Sequence, residues 1–337
     1  MGSYPQTQLV NASWQSLNLA THDKYAGSSS FKTQPSTLSP TPTIRLAPVA
    51  SPSPSLRVSG TNALGLSLLS RLDDEHLTTT SADIIAIHGI NGHAHYTWMV
   101  DGNDGPFWLR DFLPHEIPGA RVYSFGYDFR VLFSKANWDL TSISRSFLTQ
   151  LIAARRGRLR HRPLVFLCHS MGGLVLKQAL IQARLDERDY PGIKESAKAI
   201  IFLSTPHRGS DSVTWPLLLA NVINASLAAG SQLWGRARTD LLKSLEKDAG
   251  GLHEISVNFR NQAAGIRVVS CYEQNVTPPL NELVVNEYTG VLGFPGEKLI
   301  PMMGCDHRSI ARFASRDDAN YKLIVREIKE AIESAGK

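Results

Sequence analysis

Cysteine is scarce in this chain of 337 residues: only Cys168, Cys271 and Cys305 occur, and no two form a C-x-x-C pair. That excludes a disulfide-stapled scaffold and a four-thiolate metal site, and makes a reduced, intracellular chain the simplest account. The cytoplasm is the expected compartment, with a mitochondrial or membrane-associated location as the alternatives. Long apolar runs are missing too. The longest, Trp215 to Gly230, is interrupted by Asn221 and Asn224, so no transmembrane helix is expected. The N-terminus lacks a charged region followed by an apolar stretch, which argues against a secretory signal. Basic residues are not interleaved with aromatic ones in any nucleic-acid motif, so no nucleic-acid partner is expected. Acidic residues are almost absent from the start of the chain, where Asp23 stands alone before Asp73.

What is present divides the chain in two. Residues 1–58 are dominated by Ser, Thr, Pro, Gln and Asn, as in Pro35-Ser-Thr-Leu-Ser-Pro40 and Ser51-Pro-Ser-Pro-Ser55. Such a segment cannot bury enough apolar surface to offset its chain entropy and reads as disordered. Residues 59–337 read as one domain. From about residue 82 strand and helix patterns alternate: strands at Ala82 to Ile87, Arg121 to Phe125, Pro163 to Leu167, Ala199 to Leu203, Ile266 to Cys271 and Leu299 to Met302. Helical patterns at Trp138 to Ala153, Leu174 to Arg184 and Tyr321 to Ile332 fall between or after them. Strands separated by helices predict an α/β fold, a mostly parallel sheet flanked by helices. The net charge of +5 owes much to one run, Arg155-Arg-Gly-Arg158-Leu-Arg160-His161-Arg162, which reads as a solvated connector, with contact to an anionic lipid surface as the alternative.

The chemistry gathers around Cys168-His169-Ser170-Met171-Gly172-Gly173. A serine between a buried strand and a helix, with small residues at minus two and plus two, matches the nucleophile elbow. The sharp reversal lifts the hydroxyl clear of the sheet and aims it toward unpaired N–H groups at the helix start. A serine nucleophile needs a base and a carboxylate to orient that base. His307 alone among the downstream histidines follows the last predicted strand, in a loop able to swing back over the elbow, and is the candidate base. Glu273, just past the strand Ile266 to Cys271, is the first candidate acid, Glu287 is the alternative, and Glu282 and Asp306 are weighed behind them. The amides of Met171 and Ile90, the latter beside Asn91, are the candidate oxyanion-hole donors. His88, His93 and His95 invite a metal reading, but no carboxylate or cysteine shares their spacing, so a packed turn is expected and no metal or cofactor.

Five blocks carry a family resemblance: His88-Gly89-x-x-Gly92-His93, the elbow itself, Phe202-Leu-Ser-Thr-Pro-His-Arg-Gly-Ser210, Ser270-Cys-Tyr-Glu273, and Asp306-His307 followed by Arg312-Phe313-x-Ser315-Arg316-Asp317-Asp318. Across about residues 82–335 the chain resembles the lipase-like serine hydrolases of the α/β-hydrolase superfamily. It is most similar to the eukaryotic "serine active site containing" group and to hydrolase domains fused to fungal NACHT proteins, and more distantly to GPI-inositol deacylases. The resemblance implies a triad of Ser170, His307 and Glu273, with the Thr205 to Ser210 turn lining the site. Two positions depart from the pattern: Cys168 replaces the commoner Gly, and Asn286 stands where some relatives carry an acid. An apolar insertion at about 211–255 is expected to form a helical cap, or else a core helix. The expected activity is hydrolysis of a small-molecule or lipid ester, with peripheral membrane contact an open partner question and the oligomeric state unassigned. Acyl transfer or lactone opening on the same residues, and a catalytically silent interaction domain, are the alternatives.

Overall fold

The central strands are short, mostly apolar runs rich in branched and aromatic residues, as a strand covered on both faces requires. In the computed structural model, which describes residues 63–70, 82–100, 105–128, 140–209, 214–227, 251, 253–293 and 295–335, they build one seven-stranded sheet in the order β1-β3-β2-β4-β5-β6-β7. The strands are β1 (Gly65–Leu68), β2 (Asp83–Ile87), β3 (Arg121–Gly126), β4 (Leu164–His169), β5 (Ala197–Leu203), β6 (Arg267–Glu273) and β7 (Lys298–Met302). All neighbouring pairs are parallel except β1 with β3. This is the expected mostly parallel α/β-hydrolase architecture. The disordered reading of residues 1–58 lies outside the described residues.

Alternation along each strand sorts the core into two layers. Ile85, Ile87, Phe166, Cys168, Ile200 and Phe202 face one cluster, which α3 (Leu140–Ala154), α4 (Gly172–Leu185) and α6 (Trp215–Leu227) complete. Ile84, Ala86, Val165, Leu167, Ile201 and Leu203 face the other, closed by α1 (Trp108–Asp111), α2 (Leu113–Glu116) and α8 (Ala319–Ala335). The short α5 (Ile193–Ser196) leads into β5, and α7 (residues 253–260) precedes β6. Of the expected cap, α6 and α7 are described, whereas residues 228–250 lie outside the described residues. The α6 side chains Leu218, Leu219, Val222 and Ile223 are fully buried in the first layer, so this helix is packed into the core as well as bordering the site. Among the described residues no helix is long and apolar enough to cross a membrane.

Two features differ from the sequence reading. The edge strand β1 was not expected, because a four-residue, half-exposed strand carries almost no periodic signal. Gln150 of α3 pins it by accepting the Leu66 N–H at 2.8 Å. The basic run is not simply solvated: Arg156, Arg158 and Arg160 are exposed, but Arg155 and Arg162 are buried. With Arg121 they surround the carboxylate of Asp83, the first residue of β2. Arg121 bonds it at 2.6 and 2.8 Å, Arg162 at 2.8 Å, and Arg155 also contacts it. The remaining guanidinium N–H groups reach the carbonyls of Ala82, Gly119, Ala154, Arg160 and Arg162. A buried carboxylate demands such pairing, and the pattern of charge in the sequence could not say which arginines turn inward.

Candidate active site

β4 runs straight into the elbow, and the backbone there is held in a conformation side chains rarely adopt. Ser170 has φ 52°, and Asn91 (52°) and Ser204 (45°), in the loop after β2 and at the end of β5, are the other described non-glycine residues with positive φ. Each such residue costs about 1–3 kcal/mol and persists only where its surroundings over-determine it. Here they do: the Ser170 N–H donates to Leu203 O at 2.9 Å, and the Thr205 hydroxyl donates to Ser170 O at 2.9 Å. The close approach falls at Gly172, where a Cβ would lie 2.4 Å from Ile87 O and 2.5 Å from His88 O. Cys168 packs its side chain into the core layer that α3, α4 and α6 complete, which shows how the chain departs from Gly there.

His307 lies in the loop after β7, inside a turn built by its neighbours. Asp306 accepts the N–H groups of Arg308 and Ser309 and the Ser309 hydroxyl at 2.7 to 2.9 Å. Burial would raise the Asp306 pKa, but these hydrogen bonds hold it below its ordinary value. That carboxylate is committed to the turn rather than to the imidazole. His307 Nε2 is 3.0 Å from Ser170 Oγ, and its Nδ1 is 3.0 Å from Glu273 Oε2. Its backbone N–H donates to Thr277 Oγ1 at 2.9 Å, and its carbonyl accepts from His169 Nε2 at 2.7 Å.

Glu273 is the last residue of β6 rather than just past it, and its side chain is fully buried. Its second oxygen, Oε1, accepts the N–H groups of Val284 and Val285 at 2.6 and 2.9 Å. The carboxylate is thereby saturated on one side and aimed at His307 on the other. Glu287 stays outside this line and bonds the Tyr272 hydroxyl, whose pKa is raised by burial and then by that carboxylate. Glu282 accepts from Asn221 at 2.8 Å, and Asn286 closes a turn by accepting the Thr289 N–H at 2.9 Å.

The loop after β2 lies against Ser170, since a Cβ on Gly89 would fall 2.7 Å from the Ser170 Cβ. Among the described residues the amides of Ile90 and Met171 donate to no protein acceptor, which leaves both donors for a ligand. His88 stacks on Tyr127 with ring centroids 4.4 Å apart, donates from Nδ1 to Gly89 O and accepts the Tyr127 N–H. Burial lowers its pKa to about 4, so it is neutral and structural. His93 Nδ1 accepts the His95 N–H at 3.0 Å, and the three histidines thus shape the turn.

Ser170 and His307 are each 1% exposed. The C-terminal end of α6 reaches both flanking loops: Asn91 donates to Ser226 O at 3.0 Å, and Arg308 donates to Ala225 O at 2.8 Å and to Pro278 O at 3.0 Å. Sequence reasoning did not identify the supporting contacts of Thr277, His169, Val284 and Val285. His169 sits inside the elbow block and could have been flagged; the two valine amides leave no side-chain signature.

No family model matches the chain. It is 26% identical over 274 residues to Protein SERAC1 of Danio rerio, covering 74% of this chain and 39% of that protein. It is 24% identical over 272 residues to Protein SERAC1 of Homo sapiens, with coverage of 74% and 39%. The chain therefore spans about two fifths of the curated relatives it matches. Among solved structures, a lipase-esterase related protein from Clostridium acetobutylicum shares 12% identity over 79% of this chain and 98% of its own, with a TM-score of 0.44. A carboxylesterase from Nitrososphaera gargenis shares 13% over 82% and 98%, also at 0.44.

Proposed function

We propose that this chain is a serine ester hydrolase of the carboxylesterase or lipase-like type. The observation that carries the reading is the unbroken line from Ser170 Oγ through the His307 ring to Glu273, beside two uncommitted amides. With Nδ1–H donated to Glu273, the neutral His307 offers its Nε2 lone pair to the Ser170 hydroxyl. Ser170 attacks an ester carbonyl while Nε2 takes its proton. The oxygen that gains charge rests between the amides of Ile90 and Met171, donors that typically contribute about 3 kcal/mol each. The imidazolium, stabilised by Glu273, returns the proton to the leaving alcohol. Water, activated by the same imidazole, then releases the acid and restores Ser170.

Glu287 is not needed as the acid in this reading. An ester with an apolar acyl part is the proposed substrate, in keeping with the largely apolar sequence of α6, whose C-terminal end touches the loops of Asn91 and Arg308. Fluorophosphonate labelling of wild type and Ser170→Ala tests the proposal, together with hydrolysis of p-nitrophenyl esters of graded chain length. Labelling and turnover are expected in wild type only; a wild-type protein that neither labels nor turns over leaves an interaction domain as the better account.

A further inference from the structure

We propose that His169, the residue before the nucleophile, is a positioning residue that holds the His307 imidazole in line by donating a hydrogen bond to the His307 carbonyl. The inference rests on the hydrolase reading above and assigns a residue to it that neither takes nor gives a proton during the reaction.

Geometry supplies the argument. Alternation along β4 sends Cys168 into the layer that α3, α4 and α6 complete and His169 toward the opposite face, where it meets His307 of the loop after β7. There Nε2 lies 2.7 Å from His307 O, and the ring centroids are 5.3 Å apart at 47°. A carbonyl accepts only from an N–H, so the ring must carry its proton on Nε2; among the described residues its buried Nδ1 has no partner. A neutral imidazole has one N–H, and here it is committed to this single contact. Burial, followed by the neighbouring His307, lowers the His169 pKa to about 3, so the donor is the neutral tautomer throughout the range in which an esterase works. Neutrality matters for a second reason. A fixed cation this close would oppose the imidazolium that His307 becomes in every turnover.

The contact also completes the restraint of the base. Thr277 holds the His307 N–H, Glu273 holds Nδ1, and His169 holds the carbonyl, so the peptide on each side of the base is fixed. Removing the third restraint leaves a buried carbonyl unmet and frees the peptide between His307 and Arg308 to rotate. The base then samples positions off the Ser170 hydroxyl, which slows proton transfer without changing how substrate is held.

The test compares His169→Phe, which keeps the ring and loses the donor, with His169→Gln, whose amide N–H can reach the same carbonyl. Active sites are counted by fluorophosphonate labelling, and kcat and KM are measured on an ester that wild type hydrolyses, with melting temperature alongside. His169→Phe is expected to lose roughly tenfold or more in kcat per labelled site at nearly unchanged KM, because a displacement of about 1 Å can cost up to ~10²-fold. His169→Gln is expected to recover most of that loss. Should Phe prevent folding, His169→Met removes the donor with a more adaptable side chain. Wild-type kcat per labelled site in the donor-less variant, or equal impairment of the Gln variant, overturns the proposal. Absence of Ser170-dependent labelling in wild type overturns the hydrolase reading itself, and so is distinguishable.

Discussion

Lys177 lies in the second turn of α4, the helix that follows Ser170, fully buried and, among the described residues, paired with no carboxylate. Its ammonium is 2.5 Å from His207 Nδ1 and 3.0 Å from Ser256 Oγ, with the Phe202 ring centroid 5.5 Å away. His207 can accept that bond because burial, and then Lys177 itself, hold its pKa well below the ordinary value. Burial lowers the Lys177 pKa to about 7, only partly offset by Glu297 and Cys168. A pKa lower in the folded than in the unfolded chain means that the unfolded chain binds more protons. Stability therefore rises with pH between about 7 and the unfolded value, and the full penalty, on the order of 5 kcal/mol, applies below that window. Between about pH 7 and about pH 9 wild type should gain about 2 kcal/mol from this one group. Lys177→Met removes that gain, whereas the bonds it forfeits to His207 and Ser256 change stability by a pH-independent amount. Urea unfolding followed by tryptophan fluorescence, on the full chain at several pH values, measures the difference between the two slopes. Parallel curves for wild type and Lys177→Met would refute the argument.

Glu273→Gln should be far more damaging than its isosteric shape suggests. The amide oxygen will satisfy the Val284 and Val285 N–H groups, so its NH₂ faces His307 Nδ1 and forces the ring proton onto Nε2, toward Ser170; kcat/KM should fall by roughly 10⁴-fold at unchanged melting temperature. Asp83→Asn acts at the other end of the sheet. It leaves the guanidinium groups of Arg121, Arg155 and Arg162 facing an uncharged amide, and unfolding measurements should show a loss of about 3–5 kcal/mol while kcat per labelled site stays at the wild-type value.

What the sequence made legible follows from where a residue's local context determines its surroundings. The change from strand to helix spacing on either side of Ser170 located the elbow, and the order of strands put His307 and Glu273 at the same edge of the sheet. Weighing Glu273 ahead of Glu287 rested on one lying just past a predicted strand, where direction is nearly set, and the other farther along the connection, where it is not. Observed strands run one or two residues beyond the apolar runs, as at β5, where Ala197 still pairs with Leu164 across an irregularity that skips Lys198, whatever their hydropathy. Lys177 and Arg162 were not legible as buried residues. A cation among leucines or in a basic run reads as solvent-facing unless the partner that draws it inward is known, and His207 and Asp83 are far away in the chain.

The contacts of α6 tie two aspects of the proposed reaction together. Asn91 adjoins the amide expected to receive the developing charge, Arg308 adjoins the base, and both grip the same helix end. In the proposed reaction, a substitution that shifted this helix end would be felt at the charge-stabilising amide and at the base together.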